Sequence, residues 1–171
     1  MKTLHYIFFV VLMLISSGAF AQSDATAEFA KLKALAGTWE GRMTTDPPSP
    51  DIDGTATTVT MRVTSMGNVL MHEMTGEGRP DDPITMFYLE GGGLELRHYC
   101  DAGNRPRMRG TMSPDGKSVT FEFLDVAGDT HHGHMHGTVF SFLDQNRHVE
   151  EWTFMRGNKP IKARVELRRK Q

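Results

Sequence analysis

The most constraining feature of this chain is a succession of short β-rich segments that fills most of its 171 residues. Each segment is rich in β-branched and aromatic residues and is followed by glycine, proline, asparagine or aspartate, the residues that tight turns require. The pattern predicts antiparallel strands joined by hairpins. The predicted strands are residues 38–45, 55–65, 69–76, 84–90, 94–100, 106–112, 117–126, 134–143, 148–156 and 161–169.

A succession of this many strands restricts the architecture. An open sheet would leave two unpaired edges, and closing the sheet into a barrel removes both. We therefore expect an all-β protein, an up-and-down antiparallel barrel of about ten strands, with a two-sheet sandwich as the alternative. No repeat of fixed period and no shift in composition interrupts residues 22–171, so we expect them to form one domain.

Helical spacing occurs before the first predicted strand. Phe29, Leu32 and Leu35 recur at intervals that place them on one face, which predicts one short helix over residues 24–36.

The residues after that helix carry a family resemblance. Gly37, Thr38 and Trp39, with Gly41 behind them, form a Gly-x-Trp motif at the start of the first strand. A short helix running into this motif resembles the calycin superfamily, which includes lipocalins, fatty-acid-binding proteins and nitrobindin-type barrels. The resemblance implies that the helix and Trp39 plug one end of the barrel. The order of HYCDAGNRPRM at 98–108, HMHGTVFSF at 134–142 and EEWTF at 150–154 also resembles bacterial exported proteins of this kind, which implies no known activity.

The N-terminus has the three parts of a secretory signal peptide. Lys2 precedes the apolar run 7–15, and the small residues Ala19 and Ala21 match a cleavage site. We expect residues 1–21 to be removed and the protein to be periplasmic or secreted. The apolar run is too short to cross a bilayer, so we expect no stable membrane insertion after cleavage.

Charge and cysteine content restrict the partners. The formal net charge is −2, which argues against nucleic acid as a partner. Cys100 is the single cysteine and cannot form an internal disulfide, so it is either a small apolar residue or a reactive thiol.

Alternation along the strands predicts the residues that face the lumen. In LELRHYC at 94–100, His98 and Cys100 share the apolar face, which we place inward. In VLMHEMT at 69–75 both faces are mixed, so either His72 or Glu73 could face inward, and we favour His72.

The stretch THHGHMH at 130–136 holds four histidines. His134 and His136 share a strand face with Phe140, so we place them inward, whereas His131 and His132 are expected in an exposed loop.

The register of the next hairpin decides a further lumen residue. If Leu143 pairs with His148, then Phe140 lies opposite Glu151. Glu151 then enters the lumen, Trp152 points outward and His148 lies on the surface.

A lumen with apolar walls and a few polar groups predicts the binding of a small, partly apolar molecule. The expected ligand-binding residues are His72, His98, Cys100, Arg107, Phe140 and Glu151. His98, His134 and His136 could instead hold a divalent metal ion, Zn or Cu, or His134 and His136 could be ordinary polar residues.

Two other functions stay open. A barrel enzyme could use His98, Glu151 and Arg107 as acid, base and oxyanion support. A nitrobindin-like protein would bind haem, and such barrels hold it through a histidine near the C-terminus. The last predicted strand has no histidine, which leaves His98 or His136 as a substitute ligand.

Overall fold

Ten antiparallel strands form a closed barrel in the computed structural model, which describes residues 17–79 and 82–171. The strands follow one another around the barrel in chain order. They are β1 Gly37–Asp46, β2 Ala56–Thr64, β3 Val69–Gly76, β4 Ile84–Glu90, β5 Gly93–Tyr99, β6 Asn104–Met112, β7 Ser118–Gly128, β8 His134–Asp144, β9 Arg147–Arg156 and β10 Lys159–Arg169.

The barrel closes between the first strand and the last. Trp39 of β1 pairs with Arg169 of β10, and Asp46 pairs with Lys162. The predicted up-and-down barrel is therefore confirmed, and the sandwich is excluded. Every predicted strand is present, because the turn residues between them punctuate the chain at the right positions.

One helix, α1, spans Ser17–Lys33 and precedes the barrel. It begins earlier than the predicted residue 24, and it ends before the predicted residue 36 because the chain turns at Ala34–Leu35. Phe29 and Leu32 are buried and belong to the same apolar core as Trp39. Most of the predicted signal peptide, residues 1–16, lies outside the described residues. Within the described part of the chain, no helix is long and apolar enough to cross a membrane.

Helix α1 covers one end of the barrel, as the resemblance implied. Lys31 Nζ donates to the carbonyl of Gly116 at 2.6 Å, in the β6–β7 turn. Lys33 Nζ donates to the carbonyl of Gly67 at 3.3 Å, before β3. In an up-and-down barrel these connections share one end, which we call the closed end.

Arg169 and Trp39 complete the closed end. The guanidinium lies 4.1 Å from the centroid of the Trp39 ring. It also donates to the carbonyls of Ala36 at 2.8 Å and Ala34 at 3.2 Å. Gly37 has φ +138°, and a Cβ there would lie 2.5 Å from Arg169 Nη1. The motif therefore needs glycine at this position mainly because of its positive φ, and the guanidinium would also have to move to admit a side chain.

A β-bulge between Phe142 and Asp144 shifts the register of β8. A bulge adds one residue to one strand, so every pair beyond it moves by one. Phe140 consequently pairs with Glu150 and not with Glu151. Glu150 is buried and Glu151 is exposed. The predicted register was wrong by one residue, and the inward face of β9 is the opposite of the expected one.

Candidate functional site

A cavity of about 290 Å³ opens at the end of the barrel opposite α1, the open end. Its rim is formed by the β1–β2, β3–β4, β5–β6 and β9–β10 connections, which an up-and-down barrel brings together at one end. Most of its wall is apolar. The apolar wall residues include Met43, Met74, Met135, Phe154, Ile161 and Ala163.

His98 of β5 lies at the inner end of this cavity. The residue is 4% exposed, and its Nδ1 is 2.8 Å from Thr85 Oγ1. Burial, reinforced by repulsion from His72, lowers the pKa of His98 to about 4. The ring is therefore neutral near pH 7, and Nε2 is the nitrogen left for a ligand.

His72 of β3 is the second imidazole of the cavity floor and is 1% exposed. Trp152 lies between the two rings, with its centroid 5.7 Å from that of His72 and 5.5 Å from that of His98. The floor therefore consists of two imidazoles packed on one indole.

A buried carboxylate lies directly behind this floor. Glu150 is completely buried and accepts from three side chains, each at 3.0 Å: His72 Nε2, His148 Nε2 and Trp152 Nε1. We call these four residues the Glu150 cluster. Burial alone would raise the pKa of Glu150, but attraction to His72 and the hydrogen bonds from His148 and His72 together lower it to about 2. Glu150 is therefore an anion at neutral pH.

Both imidazoles of the Glu150 cluster have an unpartnered nitrogen. Nδ1 of His72 and Nδ1 of His148 are buried and have no hydrogen-bond partner among the described residues. His148 is enclosed, with its ring 4.3 Å from that of Trp39 at the closed end. His72 and Trp152 are the members of the cluster that line the cavity, but Nδ1 of His72 is itself shielded from it. An imidazole oriented by a carboxylate can also act as a base.

Three of the predicted ligand-binding residues face the lumen, as strand alternation predicted. His72, His98 and Cys100 all line the cavity. Cys100 Sγ is 3.5 Å from Asp101 Oδ1, and burial raises the pKa of the thiol. Cys100 is therefore a protonated thiol in the cavity wall.

The other three predicted residues do not reach the cavity. Glu151 is exposed on the outside of β9. Arg107 donates to Asp125 at 2.6 Å, and its Nη1 lies 3.6 Å from Glu95. It therefore forms ion pairs with these two carboxylates and does not line the cavity. Phe140 is buried core beside the Glu150 cluster, 6.1 Å from the His72 ring. The acid, base and oxyanion set of the enzyme hypothesis is not assembled.

His134 and His136 form a pair away from the cavity lining. A second bulge, between Met135 and Gly137, changes the alternation, so that Met135 lines the cavity and neither histidine does. Nε2 of His134 is 3.2 Å from Nδ1 of His136, and the His136 ring stacks on Phe123 at 4.6 Å. His98 is not part of this pair.

The predicted metal trio of His98, His134 and His136 is therefore not brought together. Across residues 17–79 and 82–171, no group of three or more histidine, cysteine, aspartate or glutamate residues is arranged to hold a metal ion.

The haem alternative fits poorly. Strand β10 contains no histidine. The cavity, at about 290 Å³, is at the lower end of the range for small-molecule pockets, whereas haem is a large flat macrocycle. We derive no role for haem.

The sequence prediction did not place Glu150, His148 and Trp152 inside the barrel. All three follow the same face of β9 as Phe154, another large apolar residue two positions further on. Trp152 and Phe154 are large apolar residues two positions apart on one strand, and this spacing could have identified the inward face.

Fold and site together define a closed ten-stranded antiparallel β-barrel with a cavity at one end. The chain is similar to the crystal structure of Rv2717c from M. tuberculosis, with a TM-score of 0.61 and 14% identity over 84% of this chain and 98% of that chain. It is also similar to a protein of unknown function from the DUF3598 family of Nostoc punctiforme, with a TM-score of 0.55 and 14% identity. That match covers 80% of this chain and 48% of the other.

These similarities concern the fold alone. No protein-family model matches the sequence, and no curated protein matches it significantly.

Proposed function

We propose that this protein is an exported, calycin-like barrel that binds a small, partly apolar molecule in the cavity at its open end. One observation carries the proposal: a largely apolar cavity has two buried imidazoles, His72 and His98, in its lining. His98 Nδ1 contacts Thr85 Oγ1 at 2.8 Å, which leaves Nε2 of the same ring for a bound molecule.

The composition of the wall supports a partly apolar ligand. Methionine and aromatic side chains supply apolar contact area, and methionine adapts its shape to irregular ligands. The floor imidazoles would orient a polar group of the ligand, and Arg156 adds a positive charge at the rim. This division between apolar walls and a few polar groups is the usual composition of small-molecule sites.

A two-ring phenol, 2-naphthol, tests the proposal with a substitution that fills the cavity. Ala163 lines the wall, so Ala163→Phe should weaken 2-naphthol binding at least about tenfold by occupying its space. Ala127→Phe, on the exposed part of β7, is the matched control and should bind as the wild type does. The measurement is isothermal titration calorimetry. Equal affinity in Ala163→Phe and wild type, or no saturable binding to wild type, would overturn the proposal.

A further inference from the structure

We propose that His98 donates a hydrogen bond from Nε2–H into the cavity, so that the ligand is a neutral molecule with a carbonyl oxygen on an otherwise apolar body. This inference rests on the proposed function, since it assumes that the cavity is the binding site. It adds the direction of the hydrogen bond and the chemical class of the group that accepts it.

Nε2 of His98 is a polar atom that a molecule in the cavity can reach. Among the described residues it has no hydrogen-bond partner, but unlike Nδ1 of His72 it is not fully enclosed. Nε2 therefore keeps accessible surface. Because His98 is buried and lines the cavity, this surface faces the cavity.

The direction of the hydrogen bond follows from Thr85. Thr85 is completely buried, and within the described part of the chain its Oγ1 has one hydrogen-bond partner, Nδ1 of His98 at 2.8 Å. If Nδ1 carried the ring proton, it would donate to Oγ1, and the hydroxyl proton of Thr85 would be buried without an acceptor, which is costly. If Thr85 donates to Nδ1, both groups are satisfied. The proton of the neutral ring then lies on Nε2.

The neutral state of His98 agrees with its surroundings. Burial, reinforced by repulsion from His72, lowers the pKa of His98 to about 4, so the ring has one proton at neutral pH. A charge on His72 favours this neutral form, and it also agrees with the attraction between His72 and Glu150. The donor that faces the cavity is therefore an uncharged N–H.

An uncharged donor in an apolar site selects a neutral acceptor. A carbonyl oxygen accepts the hydrogen bond without bringing a charge, whereas a buried carboxylate would lose hydration that one neutral donor cannot replace. The arginines that line the cavity lie at its rim, where Arg79 pairs with Asp101 and Arg156 ends β9. A ketone, aldehyde, ester or amide therefore fits the position beside His98.

Two probes of the same shape isolate the carbonyl. 2-Acetylnaphthalene has a carbonyl oxygen where 2-isopropenylnaphthalene has a CH₂ group. Their affinities at pH 7.5 come from calorimetry, with displacement of 2-naphthol for the hydrocarbon. In His98→Phe the ratio of ketone to hydrocarbon affinity should fall about fivefold below the wild-type ratio, because the donor is gone. Comparison of the two ratios cancels the difference in hydration between the probes.

The control His131→Phe, in the exposed β7–β8 loop, should keep the wild-type ratio. Equal ratios in His98→Phe and wild type would overturn the inference, while the cavity proposal stands as long as Ala163→Phe weakens the binding of both probes. 2-Naphthoate tests the neutral class. Tighter binding of 2-naphthoate than of the ketone, if it also depends on His98, would overturn that part of the inference.

A measurement on the wild type avoids any dependence on variants that fold poorly. Nitrogen-15 NMR of the imidazole rings reports which nitrogen carries the proton. The expected result for His98 is a protonated Nε2 and an unprotonated Nδ1 at pH 7.5. A proton on Nδ1 would overturn the inference whatever the probes do.

The same spectra test the role of Thr85. Thr85→Val keeps the shape of the side chain and removes the hydroxyl, so the two nitrogens of His98 should shift toward a mixture of tautomers. Thr120→Val, on the exposed face of β7, is the matched control and should leave them unchanged. Unchanged shifts in Thr85→Val would show that Thr85 does not direct the proton, and the inference would fail.

Discussion

At the residue scale, His98 couples the stability of the barrel to pH. Its pKa falls from 6.5 to about 4 on folding, mainly through burial. Between these two values the unfolded chain binds more protons than the folded protein, so stability decreases as the pH falls through this window. The stabilisation is fully present above pH 6.5 and is lost by about pH 4.

Urea unfolding at pH 7.5, 5.5 and 4 measures this coupling. Over that range we expect the wild type to lose roughly 3 kcal/mol of unfolding free energy through His98, since each pKa unit is worth about 1.4 kcal/mol. His98→Phe should flatten this part of the profile, whereas the exposed-loop variant His131→Phe should not. Parallel profiles for His98→Phe and wild type would show that His98 is not the titrating group.

Strand alternation in the sequence predicted some of the residues of the site and missed others. His98 lies on a regular stretch of β5, where the inward position followed from the apolar residues on the same face. His72 lies on a regular stretch of β3, but both faces of that strand are mixed in the sequence, so its inward position was only the favoured choice. Glu150 and His148 did not follow, because their face depended on a hairpin register, and one bulged residue reverses a face.

At the element scale, a buried amide ties the β7–β8 loop to the start of β6. Asn104 at the start of β6 donates from Nδ2 to the carbonyls of Asp129 and Gly133, both at 2.8 Å. Gly133 has φ +94°, and a Cβ there would be 2.4 Å from the carbonyl oxygen of Met155. The loop that carries His131 and His132 is therefore exposed at its tip and fixed at its base.

Removal of that amide should loosen the hairpin. Asn104→Ala leaves two carbonyls without a donor, so we expect a loss of about 2 kcal/mol in unfolding free energy and faster amide hydrogen exchange across residues 129–134. Asn158→Ala, in the exposed β9–β10 turn, is the control and should change neither quantity. Unchanged exchange in Asn104→Ala would mean that the strand pairing alone holds the loop.

The elements themselves were more predictable than their details. Turn residues marked all ten strands, because glycine, proline and asparagine act locally on the backbone. The bulge in β8 between Phe142 and Asp144 has no glycine to mark it, whereas Gly137 stands at the bulge that follows Met135 and is a local signal that the prediction did not use. This is why THHGHMH correctly indicated a histidine pair at the start of β8 but gave the pair the wrong surroundings.

At the scale of the whole molecule, the proposed export is compatible with the packing of α1 at the closed end. The buried residues of α1 that join the core, Phe29 and Leu32, lie after the predicted cleavage site at Ala21. Cleavage would therefore leave the packing face of the helix intact. N-terminal sequencing of the exported protein should begin at Gln22, and soluble cytoplasmic protein that retains Met1 would contradict it.

Because β1 pairs with β10, the barrel cannot close until both strands have been synthesised. Ribosomes make a chain from its N-terminus, so β1 exists long before its second neighbour and has one bare edge until Lys159–Arg169 is available. The same final segment supplies Arg169, which caps Trp39. The nascent chain therefore keeps an unpaired edge on β1, open to wrong partners, until Lys159–Arg169 has been made, so the barrel depends on protection of that edge during synthesis.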